Sequence, residues 1–155
     1  MTGDQVLAAG QLDGATVLET LLAQAYVRKY PARWDDYSFN FRLGTGSDPG
    51  PNYDASIRRM NILLTQKRID MVTRKGGLYG LWELKARAGL SALGQLLGYQ
   101  AMWEKEGRPS SGLTIGIITR LVDADVSIAL ERHQIAVEIF DTPEILQAAT
   151  LQNSG

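Results

Sequence analysis

The chain has 155 residues, 45% of them hydrophobic, which suits one domain with a single core. It has no cysteine and one histidine, His133, so disulfides, thiolate nucleophiles, cysteine-based zinc sites and multi-histidine metal sites are excluded. The net charge of −1 gives no sign of a partner by itself, and any catalysis must use carboxylate, lysine, tyrosine or hydroxyl groups.

The N-terminal region carries no signal-peptide pattern, and no apolar run is long enough to span a membrane. We therefore expect a cytoplasmic protein without a membrane partner.

The first half of the chain predicts a helix and a strand after a loose tail over residues 1–12. Leucines at helical spacing indicate an amphipathic helix over residues 13–30, with Asp13 or Thr16 as its cap and Pro31 at its end. Alternating aromatic and polar residues predict a strand over Tyr37–Leu43.

The segment that follows is rich in glycine and proline, and it predicts a mobile loop over residues 44–53. Residues 54–66 favour a short helix, because four apolar residues share one helical face: Ile57, Met60, Leu63 and Leu64.

The second half of the chain predicts alternating strands and helices. Two strands joined by a hairpin turn at Gly76-Gly77 occupy residues 67–86. A helix with Ser91 as its cap follows and extends to Glu106, and after it come a loop over 107–112 and a strand over 113–118. The last elements are a helix over 123–133, with Asp123 as a candidate cap, and a strand over 135–140. The chain ends with a short helix after Thr142 and a loose tail over 147–155. This order predicts one α/β domain with a mixed central sheet flanked by helices.

The hairpin turn predicts which residues of the two strands face each other. A symmetric turn at Gly76-Gly77 pairs residues whose numbers sum to 153, and Asp70 then lies opposite Glu83. Side chains alternate along a strand, so Lys85 shares a face with Glu83. A longer symmetric loop keeps this pairing, whereas a bulge would shift it.

Two like charges directly opposite each other destabilise a sheet, so a compensating group is expected. Mg²⁺ binds one or two carboxylates together with water and phosphate oxygens, and it activates water for attack. Asp70 and Glu83 are therefore candidate ligands of Mg²⁺ or Mn²⁺, and Lys85 is a candidate to orient and deprotonate that water. The alternative is a cross-strand ion-pair cluster in which Lys85 only balances two exposed acids.

Basic residues concentrate around these two acids. The segment over residues 56–90 has eight basic side chains and only two acids, so it carries +6 while the rest of the chain carries −7. This pattern suits the backbone of a nucleic acid, although a solvated basic face explains it equally well.

The residues Asp70 and Glu83-Leu84-Lys85, followed by a helix, resemble the motif of the PD-(D/E)XK nuclease superfamily, with Ile69 in place of its proline. Gln95 and Tyr99 on that helix are similar to the QxxxY signature of its exonuclease-like branch. The resemblance spans roughly residues 13–118. It implies a restriction-endonuclease-like core of α-β-β-β-α-β order, with residues 54–66 as an insertion.

The resemblance also implies roles for individual residues. Gln95 and Tyr99 would orient active-site groups or contact the substrate backbone, and Glu19 would match an acid that some members use as a further metal ligand. The Leu84 carbonyl is a candidate further ligand, and Arg68 and Arg87 are candidates for phosphate contact. Together these residues predict a Mg²⁺- or Mn²⁺-dependent enzyme that hydrolyses phosphodiester bonds of DNA, either internally or from an end.

A second hypothesis belongs to another functional class. A compact domain with a long loop would also suit a phage or mobile-element protein that keeps the nuclease fold without catalysis. Such a protein would bind nucleic acid or serve assembly, as a homodimer or as part of a larger particle.

Overall fold

The computed structural model describes residues 1–153, which form six helices and five strands. The helices are α1 (Gly3–Ala8), α2 (Val17–Lys29), α3 (Ala55–Thr65), α4 (Leu90–Lys105), α5 (Ala124–Arg132) and α6 (Pro143–Asn153). The strands are β1 (Asp36–Leu43), β2 (Lys67–Lys75), β3 (Leu78–Ala88), β4 (Thr114–Val122) and β5 (Ala136–Ile139). Within residues 1–153 no helix has the length and apolar character needed to cross a membrane.

The five strands form one mixed sheet in the order β1-β2-β3-β4-β5. The first three strands are antiparallel to one another, and β3, β4 and β5 run parallel. This architecture confirms the predicted α/β class, with helices flanking a mixed sheet. The order α2-β1-β2-β3-α4-β4, with α3 inserted, is consistent with a restriction-endonuclease-like core.

Each face of the sheet has its own apolar core. On the α2 face, Leu22 and Tyr26 of α2 pack with Trp82 of β3. On the α4 face, Leu96 of α4 packs with Leu81 of β3. The sheet is therefore covered on both sides, and its central strands carry near-continuous apolar runs, as buried strands do.

The predicted cap of the second helix is confirmed, whereas that of the fourth is wrong. Thr16 caps α2 through a reciprocal capping box with Glu19. At α4 the N-cap position is Gly89, and Ser91 lies inside the first turn. Asp123 is at the N-cap of α5, but its carboxylate bonds Arg87 instead of the helix.

Both predicted tails need correction. Residues 1–12 include α1, whose Val6 is fully buried, and the Met1 ammonium donates to Asp36 at 2.9 Å. At the other end, α6 continues to Asn153 and buries Ala148 and Ala149. The tail predicted over 147–155 is thus helical as far as 153, and residues 154–155 lie outside the described part. Burial against distant segments orders both of these segments as far as residue 153.

The predicted loop over 44–53 is free of helix and strand, and its mobility stays a prediction. Asp48 in this loop pairs with Arg58 of α3 at 2.7 Å. The predicted helix over 54–66 is confirmed as α3, but its apolar face is open: Met60 and Leu64 are 63% and 67% exposed.

Candidate metal and nucleic-acid site

The register predicted for the hairpin is confirmed as far as Met71–Trp82, but the predicted pair Asp70–Glu83 is not part of the ladder. The paired residues run from Lys75–Leu78 to Met71–Trp82, and every pair sums to 153. Beyond Met71–Trp82 the two strands separate: β2 stays beside β1 as far as Lys67, while β3 follows β4 as far as Ala88. The sheet therefore opens into a fork between β2 and β3.

Asp70 and Glu83 occupy the first position inside this fork. They are not a backbone pair, because the paired ladder ends one residue earlier. Instead, the Asp70 Oδ2 atom accepts the Leu84 N–H at 2.9 Å. The Asp70 side chain thus takes the place of the missing strand partner and brings its carboxylate to β3.

Glu83 is an unusually buried carboxylate, with 2% of its surface exposed. Its Oε2 atom lies 3.7 Å from the Lys85 Nζ, and its Oε1 atom is buried without a hydrogen-bond partner among the described residues. Buried polar atoms nearly always have a hydrogen-bond partner, so this oxygen is exceptional. The exposed ion-pair cluster of the alternative hypothesis does not describe this site.

Burial, followed by the nearby Asp70 charge, raises the pKa of Glu83 to about 8, against the opposing effects of Lys85 and Tyr99. Burial also raises the pKa of Asp70, although the Leu84 N–H and the Lys85 charge oppose this. With a pKa of about 8, Glu83 favours its protonated form at neutral pH. A divalent cation would displace that proton, since metals bind carboxylates in their ionised form.

A cavity of about 360 Å³ opens at the fork. Three of its lining residues, Leu18, Ala86 and Gln152, were not singled out from the sequence. The others are the nine candidates from the sequence: Glu19, Arg68, Asp70, Glu83, Leu84, Lys85, Arg87, Gln95 and Tyr99. The structure thus brings the candidates together from α2, β2, β3 and α4.

Gln95 and Tyr99 reach the cavity from α4, one helical turn apart. Tyr99 is buried, and its hydroxyl interacts with the Glu83 carboxylate. Burial, followed by the charge of Glu83, raises the pKa of Tyr99. Gln95 is exposed and lines the cavity wall. The two side chains thus share the helix face that the sequence predicted.

Glu19 lines the same cavity, but its carboxylate has another contact. The Oε2 atom accepts the Thr16 N–H at 2.8 Å in the capping box of α2. Burial raises the pKa of Glu19, and the Asp70 charge adds to this. Within residues 1–153 no three acidic, histidine or cysteine side chains are close enough together to hold a metal ion. A cation in the fork would therefore use two protein carboxylates, with backbone carbonyl, water or phosphate oxygens as its other ligands.

The basic segment over 56–90 does not form a single patch. Only Arg68, Lys85 and Arg87 line the cavity, and the guanidinium of Arg87 bonds the Asp123 carboxylate. Arg68 forms no ion pair among residues 1–153, so it is the arginine of the cavity with its charge free. The predicted clustering in sequence therefore overstates the clustering in space.

Gln152 was missed by the sequence analysis, which placed it in a loose tail. It reaches the cavity from the C-terminal turn of α6. No motif identifies it, because its position depends on how α6 packs against α2.

The chain is similar to a solved structure described as "Structure of EndoMS-dsDNA2 complex", with 14% sequence identity and a TM-score of 0.48. The similarity covers 88% of this chain and 50% of the other, so the chain spans about half the length of that relative. No model of a protein family matches the chain, and no curated protein matches it.

Proposed function

We propose that this chain is a Mg²⁺- or Mn²⁺-dependent nuclease that hydrolyses phosphodiester bonds of DNA in the fork between β2 and β3. The observation that carries the proposal is the buried Glu83 Oε1 atom, which has no hydrogen-bond partner and lies beside Asp70 and Lys85 in an open cavity. A protein without a ligand at this place gains nothing from two opposed, desolvated acids.

Asp70 and Glu83 are the residues that would hold the cation, with the Leu84 carbonyl as a candidate further ligand. When bound, the cation would supply charge stabilisation of the phosphate and acidify a water molecule. The Leu84 N–H holds Asp70 in place by its bond to Oδ2, which leaves Oδ1 for a ligand. The donor set of two carboxylates is of the kind that Mg²⁺ and Mn²⁺ prefer.

Lys85 acts on the water and on the phosphate. Its ammonium is partly exposed, with 32% of the side chain accessible, and it lies against the Glu83 carboxylate. In this position the ammonium can orient the attacking water or offset the charge that grows on the phosphate oxygens. The charge of Arg68 attracts the DNA backbone, while Gln95 and Tyr99 orient groups at the cavity wall.

Cleavage assays with Lys85→Ala test this proposal. Linear duplex, circular single-stranded and branched DNA are incubated with Mg²⁺, Mn²⁺ or chelator. We expect metal-dependent products with the wild-type protein and a loss of about 100-fold or more with Lys85→Ala, while DNA binding survives. Lys105→Ala, on the exposed end of α4, is the matched control and should cleave like the wild type.

Cleavage that persists in Lys85→Ala would argue against the assigned mechanism. A wild-type protein that binds DNA but cleaves none of these substrates would favour the second candidate, a non-catalytic assembly module. The observation that favours that candidate is the open apolar face of α3, because exposed apolar surface of this kind commonly marks contact with another molecule.

A further inference from the structure

Two neighbouring strands change their side-chain alternation at the same level of the sheet. In β1, Tyr37 packs on the α2 face, but Leu43 packs on the α4 face, although both positions are odd-numbered. In β2, Met71 packs on the α2 face and Ile69 on the α4 face. A regular strand would put residues separated by an even number on one face.

The changes in β1 and β2 meet at one pair of positions. The strands pair from Asp36–Arg74 to Phe39–Met71 and again from Phe41–Ile69 onwards, in the same register on both sides. The skipped position is Asn40 opposite Asp70. No residue is inserted, so both chains turn about their axes here, and both side-chain patterns reverse together.

Asn40 has the backbone conformation that produces this turn. Its φ is +54°, and among residues 1–153 the other non-glycine residue with positive φ is Gln134. Asparagine tolerates this left-handed region better than most residues, whereas a β-branched residue is strongly disfavoured there. Gly14, with φ +70°, packs against the Asn40 side chain. A Cβ added at Gly14 would lie 2.5 Å from the Asn40 Nδ2 atom.

The turn has a direct consequence for Asp70. Ile69 and Met71 point to opposite faces, so the residue between them projects within the plane of the sheet, towards β3. There its Oδ2 atom accepts the Leu84 N–H. The fork between β2 and β3 opens at this same level, since their last pair is Met71–Trp82.

We propose that Asn40 is a positioning residue: its left-handed backbone turns β1 and β2 together and thereby fixes the Asp70 carboxylate in the fork. Neither strand can straighten alone, because Leu43 and Ile69, or Tyr37 and Met71, would then leave their buried positions. The inference rests on the proposed function only where it treats Asp70 as a metal ligand.

Three variants test the role of Asn40. Asn40→Val removes tolerance for positive φ, and Asn40→Gly keeps that tolerance while it removes the side chain. Gln134→Val is the matched control, because Gln134 has a φ of +56° at the exposed turn between α5 and β5. Two readouts are measured for each variant: hydrogen exchange of the Leu84 amide by NMR, relative to Ile117 of β4, and Mn²⁺ affinity by calorimetry.

In Asn40→Val we expect the Leu84 amide to exchange at least about tenfold faster relative to Ile117, because its bond to Asp70 is lost. Mn²⁺ affinity should fall about 10–100-fold, as for other residues that orient a metal ligand. Asn40→Gly should stay within about threefold of the wild type in both readouts, and Gln134→Val should change neither. If Asn40→Val does not fold, Asn40→Ala should show the same changes in smaller degree.

Unchanged Leu84 exchange in a folded Asn40→Val or Asn40→Ala variant would overturn the positioning role. Equal loss in Asn40→Gly would overturn it too, because the side chain rather than the backbone would then be responsible. The exchange readout needs no metal, so a wild-type protein that fails to bind Mn²⁺ would count against the proposed function and leave the role of Asn40 decided by Leu84.

Discussion

The two ends of the β2–β3 hairpin treat their buried polar groups in opposite ways. On the turn side of the fork, where the backbone ladder is complete, the Trp82 Nε1–H donates to the Thr73 Oγ1 at 3.0 Å, and both residues are buried. At the open end, the ladder stops, and the buried Glu83 Oε1 has no partner among the described residues. The hairpin thus has satisfied polar groups on the turn side of the fork and an unsatisfied oxygen at its open end, only one residue of β3 apart.

This contrast separates what holds the fold from what can bind a ligand. A buried donor and acceptor that satisfy each other contribute to stability and leave nothing for a partner. A buried acid without a partner costs stability until something binds it. Mutations on the turn side of the fork should therefore change stability alone, whereas mutations at the open end should change metal binding.

The largest effect is expected from Asp70→Ala at the open end. Removing one of two carboxylate ligands should weaken Mn²⁺ binding by about 100-fold or more, because the cation then loses one of its two negatively charged ligands. Calorimetry with Mn²⁺ on the wild type and the variant measures this difference. Asp125→Ala, at an exposed position in α5, is the control and should bind as the wild type does. Equal titrations for wild type and Asp70→Ala would show that Asp70 does not bind the metal, and the assignment of a metal site in the fork would be wrong.

The stability of the metal-free protein should depend on pH through Glu83. Its pKa is raised to about 8 by burial and by Asp70, against 4.5 for an unperturbed glutamate. Between these values the folded chain holds a proton that the unfolded chain has released. The free energy of unfolding should therefore fall as pH rises from about 4.5 to 8, by up to about 1.4 kcal/mol per pH unit.

Urea denaturation in chelator, repeated over this pH range, tests the Glu83 prediction. Glu83→Gln should flatten the profile, while Glu131→Gln, at an exposed glutamate of α5, should leave it unchanged. Added Mn²⁺ should stabilise the wild type more at pH 8 than at pH 6, because binding at the lower pH must displace the proton. A wild-type profile as flat as that of Glu83→Gln would show that Glu83 is ionised throughout.

Local signals explain what could be predicted from the sequence. The pairing of Met71 with Trp82 follows from the Gly76-Gly77 turn, and Thr16, one of the two caps predicted for α2, forms a capping box with Glu19. Both depend on residues within about a dozen positions of each other. The same reasoning placed Asp70, Glu83 and Lys85 together, because all three lie in one hairpin.

The features that the sequence did not reveal depend on distant contacts. Val6 is buried because α1 packs on α2, which orders a segment with tail-like composition. Gln152 enters the cavity through the packing of α6. The fork depends on a turn at Asn40, which in the sequence is one polar residue in a regular alternation. Each needs a partner far along the chain, so no local pattern contains it.

A smaller effect, on stability, is expected from Gly80→Ala on the turn side of the fork. A Cβ on Gly80 would come within about 2.5 Å of the Trp82 Nε1 and still closer to the Thr73 Oγ1, so it would break their hydrogen bond or displace the indole. Overpacking of this kind should lower the free energy of unfolding by about 1–3 kcal/mol. Mn²⁺ affinity should stay unchanged, which thermal melts and calorimetry can measure together.

Gly94→Ala is the control for Gly80→Ala. A Cβ added at Gly94 would meet no atom within 4 Å. Alanine is more favourable than glycine in a helix by up to about 1 kcal/mol. We therefore expect Gly94→Ala to stabilise the protein. If Gly80→Ala reduced Mn²⁺ affinity as much as stability, the two ends of the hairpin would not be independent.

The smallest effect, about tenfold in cleavage rate, is expected from Gln95→Ala at the open end. Gln95 lines the cavity one helical turn before Tyr99 but is exposed, so its removal should leave folding and Mn²⁺ affinity nearly intact. Gln100→Ala on the same helix is the matched control, because Gln100 contacts Glu104 and does not line the cavity. Single-turnover cleavage, with Mn²⁺ binding measured in parallel, separates the two variants. A Gln95→Ala rate equal to that of Gln100→Ala would show that only Tyr99 of the two α4 residues acts on the site, through its contact with Glu83.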